Sequence, residues 1–186
     1  MKMSMKIALL SVFAILTFNQ TARAGLLLEP YLGYAFSGDI KGASSYKITG
    51  TELGARVGFS TLGFAIGGEY MSGNFKDDAP NSSTYTNNDL GIFASFKFPI
   101  LVRVYATFFP SSEFKQSATG YSATIKSGTQ TKLGVGFTGF PIISVNLEYL
   151  MGSYSKVNFG GGDVDLNPAV KTNAMALVVS APFDLL

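Results

Sequence analysis

The feature that most constrains this chain is the spacing of its turns. From Gly25 onward, stretches in which every second residue is apolar are joined by links that alternate strictly between long and short. Neighbouring side chains on a β-strand point to opposite faces, so a period of two predicts strands with one apolar face. Eight such stretches are present, which predicts an all-β fold. The long links are 38–50, 74–88, 111–130 and 152–171.

The short links predict tight turns. Leu62 and Gly63 form the centre of one link, and glycine at the second central position suits a two-residue hairpin turn. The other two short links each contain the sequence Phe-Pro-Ile, with proline at Pro99 and Pro141. Proline cannot donate a hydrogen bond to a neighbouring strand, so it belongs where strand pairing is interrupted. We therefore predict turns at Leu62–Gly63, Pro99 and Pro141.

The first 24 residues have the pattern of a cleaved signal peptide. Lys2 and Lys6 precede an apolar run over 7–18, and Ala22 and Ala24 provide the small residues of a cleavage site. The apolar run is too short for a membrane-spanning helix. Removing 1–24 leaves 11 basic and 12 acidic side chains, and no basic patch that would favour nucleic-acid binding. We predict one domain over 25–186.

The regular alternation of long and short links is typical of outer-membrane barrels, in which short turns face the periplasm and long loops face outward. Strands of about 9–11 residues would match a tilted crossing of the bilayer. We therefore predict a closed eight-stranded antiparallel up-and-down transmembrane barrel over 25–186.

With its signal sequence "IALLSVFAILTF…TARA" and its alternating strands, the chain resembles the small eight-stranded outer-membrane barrel proteins of the OmpA, OmpX and OmpW type. The resemblance implies a Gram-negative outer membrane reached by Sec-type export. It also implies insertion assisted by periplasmic chaperones and the barrel-assembly machinery. Outer-membrane lipid and lipopolysaccharide would surround the mature barrel.

Alternation assigns each residue of a strand to one of two faces. We expect arginine or lysine to be costly on the outward, lipid-facing side and to cost little at Gly50 or Ser111. The residues expected to face lipid are Leu53, Val57, Ile66, Ile92, Val104, Val135, Val145, Leu147, Leu177 and Val179.

The inward face carries charges of both signs. An eight-stranded barrel has an interior that side chains can fill, and opposite charges buried there should pair. The pattern allows an ion-gating or proton-relay path and a structural plug of salt bridges, of which we favour the plug. The predicted charge network consists of Glu52, Arg56, Glu69, Lys97, Arg103, Lys132 and Glu148, with Glu29 as a further candidate.

One pair in this network can be predicted from the turn. If Leu62 and Gly63 are the central residues, Arg56 lies directly opposite Glu69 on the next strand. Both residues fall on the inward face, about seven residues from the turn, as the spacing of the strand requires. We predict a cross-strand salt bridge between them, with Glu148 or Glu52 as further acceptors.

Composition argues against catalysis. The chain contains no cysteine and no histidine, so the usual nucleophile and general base are missing. Asp163, Asp165 and Asn167 have the spacing of a calcium loop, but Pro168 stands where that loop requires glycine. We expect no metal site and no cofactor. The predicted function is a non-enzymatic barrel with surface loops available for binding; the alternative is a small passive channel for compact or apolar solutes.

Overall fold

The computed structural model describes residues 25–79, 82–118 and 121–185. The predicted signal peptide, 1–24, and Leu186 lie outside the described residues. No helix in these ranges is long and apolar enough to cross a membrane. The strands are β1 (Gly25–Lys41), β2 (Ser45–Thr61), β3 (Phe64–Asp77), β4 (Thr84–Lys97), β5 (Val102–Ala118), β6 (Tyr121–Phe137), β7 (Ser144–Asn158), β8 (Asp163–Ser180) and β9 (Phe183–Leu185).

The strands close into a barrel. Each of the first seven strands pairs antiparallel with the next, and β8 pairs back onto β1. The short β9 continues the pairing of β8, since Tyr31 lies opposite Ser180 and Leu28 lies opposite Phe183. Pro182, which has no N–H to donate, lies in the gap between them. The predicted closed, eight-stranded, up-and-down architecture is therefore confirmed.

The strands are longer than predicted. β3 has 14 residues and β8 has 18, whereas a strand that crosses the bilayer needs about 9–11. Most residues of the four long links are paired strand, and the connection between β1 and β2 is reduced to 42–44. The prediction of long loops was wrong because inward-facing apolar residues such as Ile40 and Ile48 extend the packed interior into these links.

The predicted two-residue turn is present between β2 and β3. Both central residues have positive φ, 49° at Leu62 and 84° at Gly63, as in the type I′ turn that matches the twist of a hairpin. At the Pro99 turn, the Phe98 N–H donates to the Val102 carbonyl over 2.7 Å. Bends at Phe140, Pro141 and Ile142 form the third turn. All three turns lie at the same end of the barrel, here called the turn end; the opposite end is the hairpin end.

The outside of the barrel carries an apolar belt. Of the ten residues predicted to face lipid, nine are exposed by 38% to 63% of their surface and Val145 is half-buried. Aromatic residues flank this belt, with Phe64 packed against Phe96 at the turn end in a tilted arrangement, their ring centroids 4.4 Å apart. Of the exposed tyrosines, Tyr46 lies near the hairpin end, whereas Tyr34 and Tyr70 lie near the middle of their strands. A closed barrel with this belt presents mainly apolar side chains outward.

Candidate functional site

The lumen is arranged in layers. The inward residues of β1 show the order, because Leu27 lies near the turn end, Glu29 and Tyr31 follow, and Ile40 lies near the hairpin end. The middle layer, here called the charge cluster, contains the buried side chains of Glu29, Glu52, Arg56, Glu69, Arg103, Lys132 and Glu148. These residues come from six strands, β1, β2, β3, β5, β6 and β7. The pairing of the strands into a barrel brings their side chains together.

Arg56 is at the centre of the charge cluster. Its Nε lies 3.0 Å from Glu69 Oε2, across the strand register that the Leu62–Gly63 turn predicts. Its Nη2 lies 2.8 Å from Glu148 Oε1, and its Nη1 lies 3.3 Å from Glu29 Oε1. Arg56 is only 1% exposed, so one guanidinium satisfies carboxylates from three other strands inside the barrel.

Lys132 forms a second branch of the cluster. Its Nζ lies 2.9 Å from Glu69 Oε1 and 3.0 Å from Glu148 Oε2. The distance from Nζ to Glu52 Oε2 is longer, 3.7 Å, and neither Glu52 oxygen accepts a hydrogen bond from the described residues. Three cations therefore face four glutamates, and Glu52 is the carboxylate with the weakest compensation.

Arg103 forms the third branch, closest to the turn end. Its Nη1 and Nη2 donate to the two carboxylate oxygens of Glu29 over 2.7 and 2.6 Å, the bidentate geometry of a strong arginine pair. Nη2 also donates to Asn146 Oδ1 over 2.8 Å. Glu29 was only a further candidate from the sequence, but it bridges Arg103 to Arg56.

Two tyrosines, which sequence analysis left without a role, complete the cluster. Arg56 Cζ lies between the rings of Tyr31 and Tyr105, 4.6 and 4.3 Å from their centroids. The Tyr31 hydroxyl donates to Glu69 over 2.6 Å, and the Tyr105 hydroxyl donates to Glu148. Strand alternation places both tyrosines inward, and that signal could have identified them.

Glycines opposite these tyrosines make room for the rings. Tyr31 pairs with Gly54 across β1 and β2, and Tyr105 pairs with Gly134 across β5 and β6. A Cβ atom added at Gly54 would lie 2.3 Å from the Tyr31 ring, and one at Gly134 would lie 2.1 Å from the Tyr105 ring. The inward glycines thus allow each tyrosine ring to lie flat against the barrel wall, where it reaches the guanidinium.

Lys97 does not belong to the charge cluster, so its assignment to the lumen network is corrected. It is the last residue of β4, its side chain is exposed, and no ion pair reaches it within the described ranges. The strand ends there, at the open mouth of the barrel, so the side chain remains in contact with solvent. The other six predicted network residues all lie in the buried cluster.

Towards the hairpin end the lumen is filled mainly by apolar side chains, although Asn87, Asp89 and Gln130 are also buried there. A buried cluster that includes Met71, Phe75, Phe109, Phe114 and Tyr154 fills the barrel beyond the charged layer. Phe114 packs edge-on against Phe75 and Tyr154, with ring centroids 6.3 and 5.0 Å away. The inside of the barrel therefore has a charged middle layer and, above it, a mainly apolar layer.

The chemistry that the charge cluster supports is ion pairing. In the described ranges no group of three or more acidic side chains is arranged to hold a metal ion. The charged groups of the cluster form ion pairs with one another, and the hydroxyl groups beside them, such as that of Thr107, donate hydrogen bonds to carboxylates. A buried network of this kind holds the strands in one arrangement rather than presenting a reactive group.

Comparison with known proteins agrees at the level of the fold. No family model and no curated protein matches the sequence. Among solved structures, the Neisserial surface protein A matches with a TM-score of 0.59 and 16% identity, covering 88% of this chain and all of the other. The attachment invasion locus protein Ail of Yersinia pestis, in complex with the heparin analogue sucrose octasulfate, matches with a TM-score of 0.58 and 15% identity, covering 86% of this chain and 99% of the other.

These similarities define the class of fold: the chain forms a small eight-stranded barrel of the outer-membrane type. The sequence identities are only 15% and 16%, although the alignments cover most of this chain and almost all of each matched protein. The similarity therefore lies in the number, order and closure of the strands.

Proposed function

We propose that the chain is a non-enzymatic integral barrel of the bacterial outer membrane. The exposed apolar belt supports this, because a closed barrel with large aliphatic and aromatic side chains all round its middle needs a hydrocarbon environment. The proposal includes Sec-type export directed by 1–24. It also includes insertion with periplasmic chaperones and the assembly machinery, and a final environment of lipid and lipopolysaccharide.

The observation that carries the proposal is the filled lumen. Arg56, Lys132 and Glu148 are each at most 1% exposed, and the apolar layer around Phe109 lies above them. An ion crossing the barrel would have to separate buried ion pairs and then pass an apolar section, and each step would be costly. We therefore favour a plugged barrel over the alternative of a small passive channel for compact or apolar solutes.

Planar-bilayer recording tests the plug. Purified, refolded protein should produce no stable conductance steps. Protease protection of the same sample verifies that the protein has inserted. A Phe109→Ala, Arg56→Ala double variant, which opens both layers, should conduct if it folds. Steady single-channel steps from the unmodified protein would overturn the proposal and favour the passive channel.

The hairpins at the end opposite the turns form the proposed binding surface. They are ordered by their own contacts: Asp77 accepts hydrogen bonds from the Ser83 N–H and the Tyr85 hydroxyl over 2.8 and 2.9 Å. Lys47 Nζ lies 2.9 Å from Asp39 and holds the pKa of that carboxyl below its usual value. Contacts of this kind hold the described strand ends together, which limits the conformational freedom that they lose when a partner binds.

The orientation proposed is hairpins outward and turns in the periplasm. The chain has no cysteine, so single cysteines can report the side of the membrane. Gly161→Cys, in the β7–β8 tip, should react with a membrane-impermeant maleimide on intact cells. Ile100→Cys, in the Pro99 turn and 65% exposed, should react only after the outer membrane is opened. The reverse labelling pattern would contradict this orientation.

A further inference from the structure

The turn end of the barrel contains a cavity, here called the vestibule. Its volume is about 630 Å³, and Arg103, Lys97, Thr138, Phe140, Leu27 and Asp184 are among the residues that line it. Small-molecule sites commonly have volumes of about 300–1,000 Å³ and combine apolar walls with a few polar groups. The vestibule has this composition and borders the charge cluster at Arg103.

Two cations meet in the vestibule. Lys97 at the end of β4 is the direct cross-strand partner of Arg103 on β5. Like charges directly opposite each other on neighbouring strands are unfavourable unless they are compensated. Arg103 is compensated by Glu29, but no described residue forms an ion pair with Lys97. One positive charge at the vestibule therefore lacks a counter-charge at close range.

Unpartnered hydrogen-bond donors lie in the same place. Arg103 is 5% exposed, and while its two terminal nitrogens bind Glu29, its Nε has no acceptor among the described residues. The buried Thr138 hydroxyl also lacks a partner there. A buried N–H or O–H without an acceptor is costly, so the two groups favour a ligand that brings oxygen atoms. The one acidic lining residue, Asp184, is exposed at the rim and accepts from the Ser60 hydroxyl over 2.7 Å.

We propose that the vestibule binds a small monocarboxylate with an apolar body. The carboxylate would have Lys97 as its counter-charge, and Arg103 Nε and Thr138, whose donor atoms lie just below the surface of the vestibule, would turn to donate to it. The apolar body would lie against Leu27 and Phe140. A single negative charge matches the single lysine without an ion-pair partner, whereas a phosphate would bring a second negative charge and no apolar group to lie against Leu27 and Phe140.

The binding test uses the folded barrel in lipid nanodiscs and follows backbone NMR signals during titration. Benzoate is the probe, benzyl alcohol is its neutral match, and inorganic phosphate supplies an anion without an apolar body. Benzoate should shift the signals of Lys97 and Thr138, and each of the other two compounds should bind at least ten-fold more weakly. Equal affinity for benzyl alcohol or for phosphate would overturn the proposal.

Matched variants separate the site from general charge effects. Lys97→Gln and Thr138→Val should each weaken benzoate binding, by about ten-fold for the lysine, a loss equivalent to about 1.4 kcal/mol. Lys41→Gln removes an exposed lysine at the opposite end of the barrel and should leave the affinity unchanged. Lys97 and Lys41 are exposed and Thr138 is half-buried, and the resolved NMR spectrum shows whether each of the three variants folds. Binding that survives Lys97→Gln, or is lost equally in Lys41→Gln, would contradict the assignment.

Discussion

Arg56→Met should destabilise the barrel by about 3–5 kcal/mol, the loss expected when one partner of a buried ion pair is removed. Arg56 contacts Glu29, Glu69 and Glu148, so its loss leaves the four buried glutamates of the cluster facing only Lys132 and Arg103. The favourable contact of the guanidinium with two tyrosine rings is lost as well. Reversible urea unfolding of the protein in lipid vesicles measures the change in the free energy of unfolding.

A double-mutant cycle isolates the cross-strand pair. Adding Glu69→Gln to Arg56→Met removes one of the stranded charges, so the double variant should be more stable than the sum of the two single losses predicts. A matched control is the exposed pair Lys47–Asp39, whose charged atoms are 2.9 Å apart. Lys47→Met with Asp39→Asn should show much weaker coupling because solvent screens that pair. Additive losses at Arg56 and Glu69 would contradict a coupled buried pair.

Leu147→Arg should cost about 2–4 kcal/mol in a lipid bilayer, because it moves a charge into the hydrocarbon at the middle of the belt. Ser153→Arg is its matched control. It changes the same strand, β7, on the same outward face, but beyond the apolar belt. Ser153 is exposed and should tolerate arginine with little loss. Equal losses at the two positions would show that the belt does not face lipid.

Gly50, which the sequence suggested as a tolerant position, is unsuitable as a control. A Cβ atom at Gly50 would lie 2.2 Å from the carbonyl oxygen of Asn74 on β3, so any side chain there requires the backbone to move. Ser111 is exposed and remains a tolerant position. Gly50 and Ser111 differ because the backbone of the paired strand β3 lies close to Gly50. The polarity of a single residue does not show how closely the neighbouring strand approaches it.

Strand alternation identified the inward face well but could not measure depth. It placed Arg56 and Lys97 on the same face, although Arg56 is buried at mid-barrel and Lys97 is exposed at the mouth. It also treated polar links as loops, although pairing extends through most of them. Depth along the barrel depends on where each strand ends, and strand ends depend on packing that alternation does not record.

The sequence by itself determined the number of strands, their apolar faces and the register at the Leu62–Gly63 turn, because each of these depends on residues close together in the chain. Tertiary structure alone decided how the charges pair. Arg103 and Glu29 are 74 residues apart, and Arg56 and Glu148 are 92 residues apart. Such contacts exist only after β8 has closed onto β1, since closure brings distant strands to face one another across a lumen narrow enough for their side chains to meet.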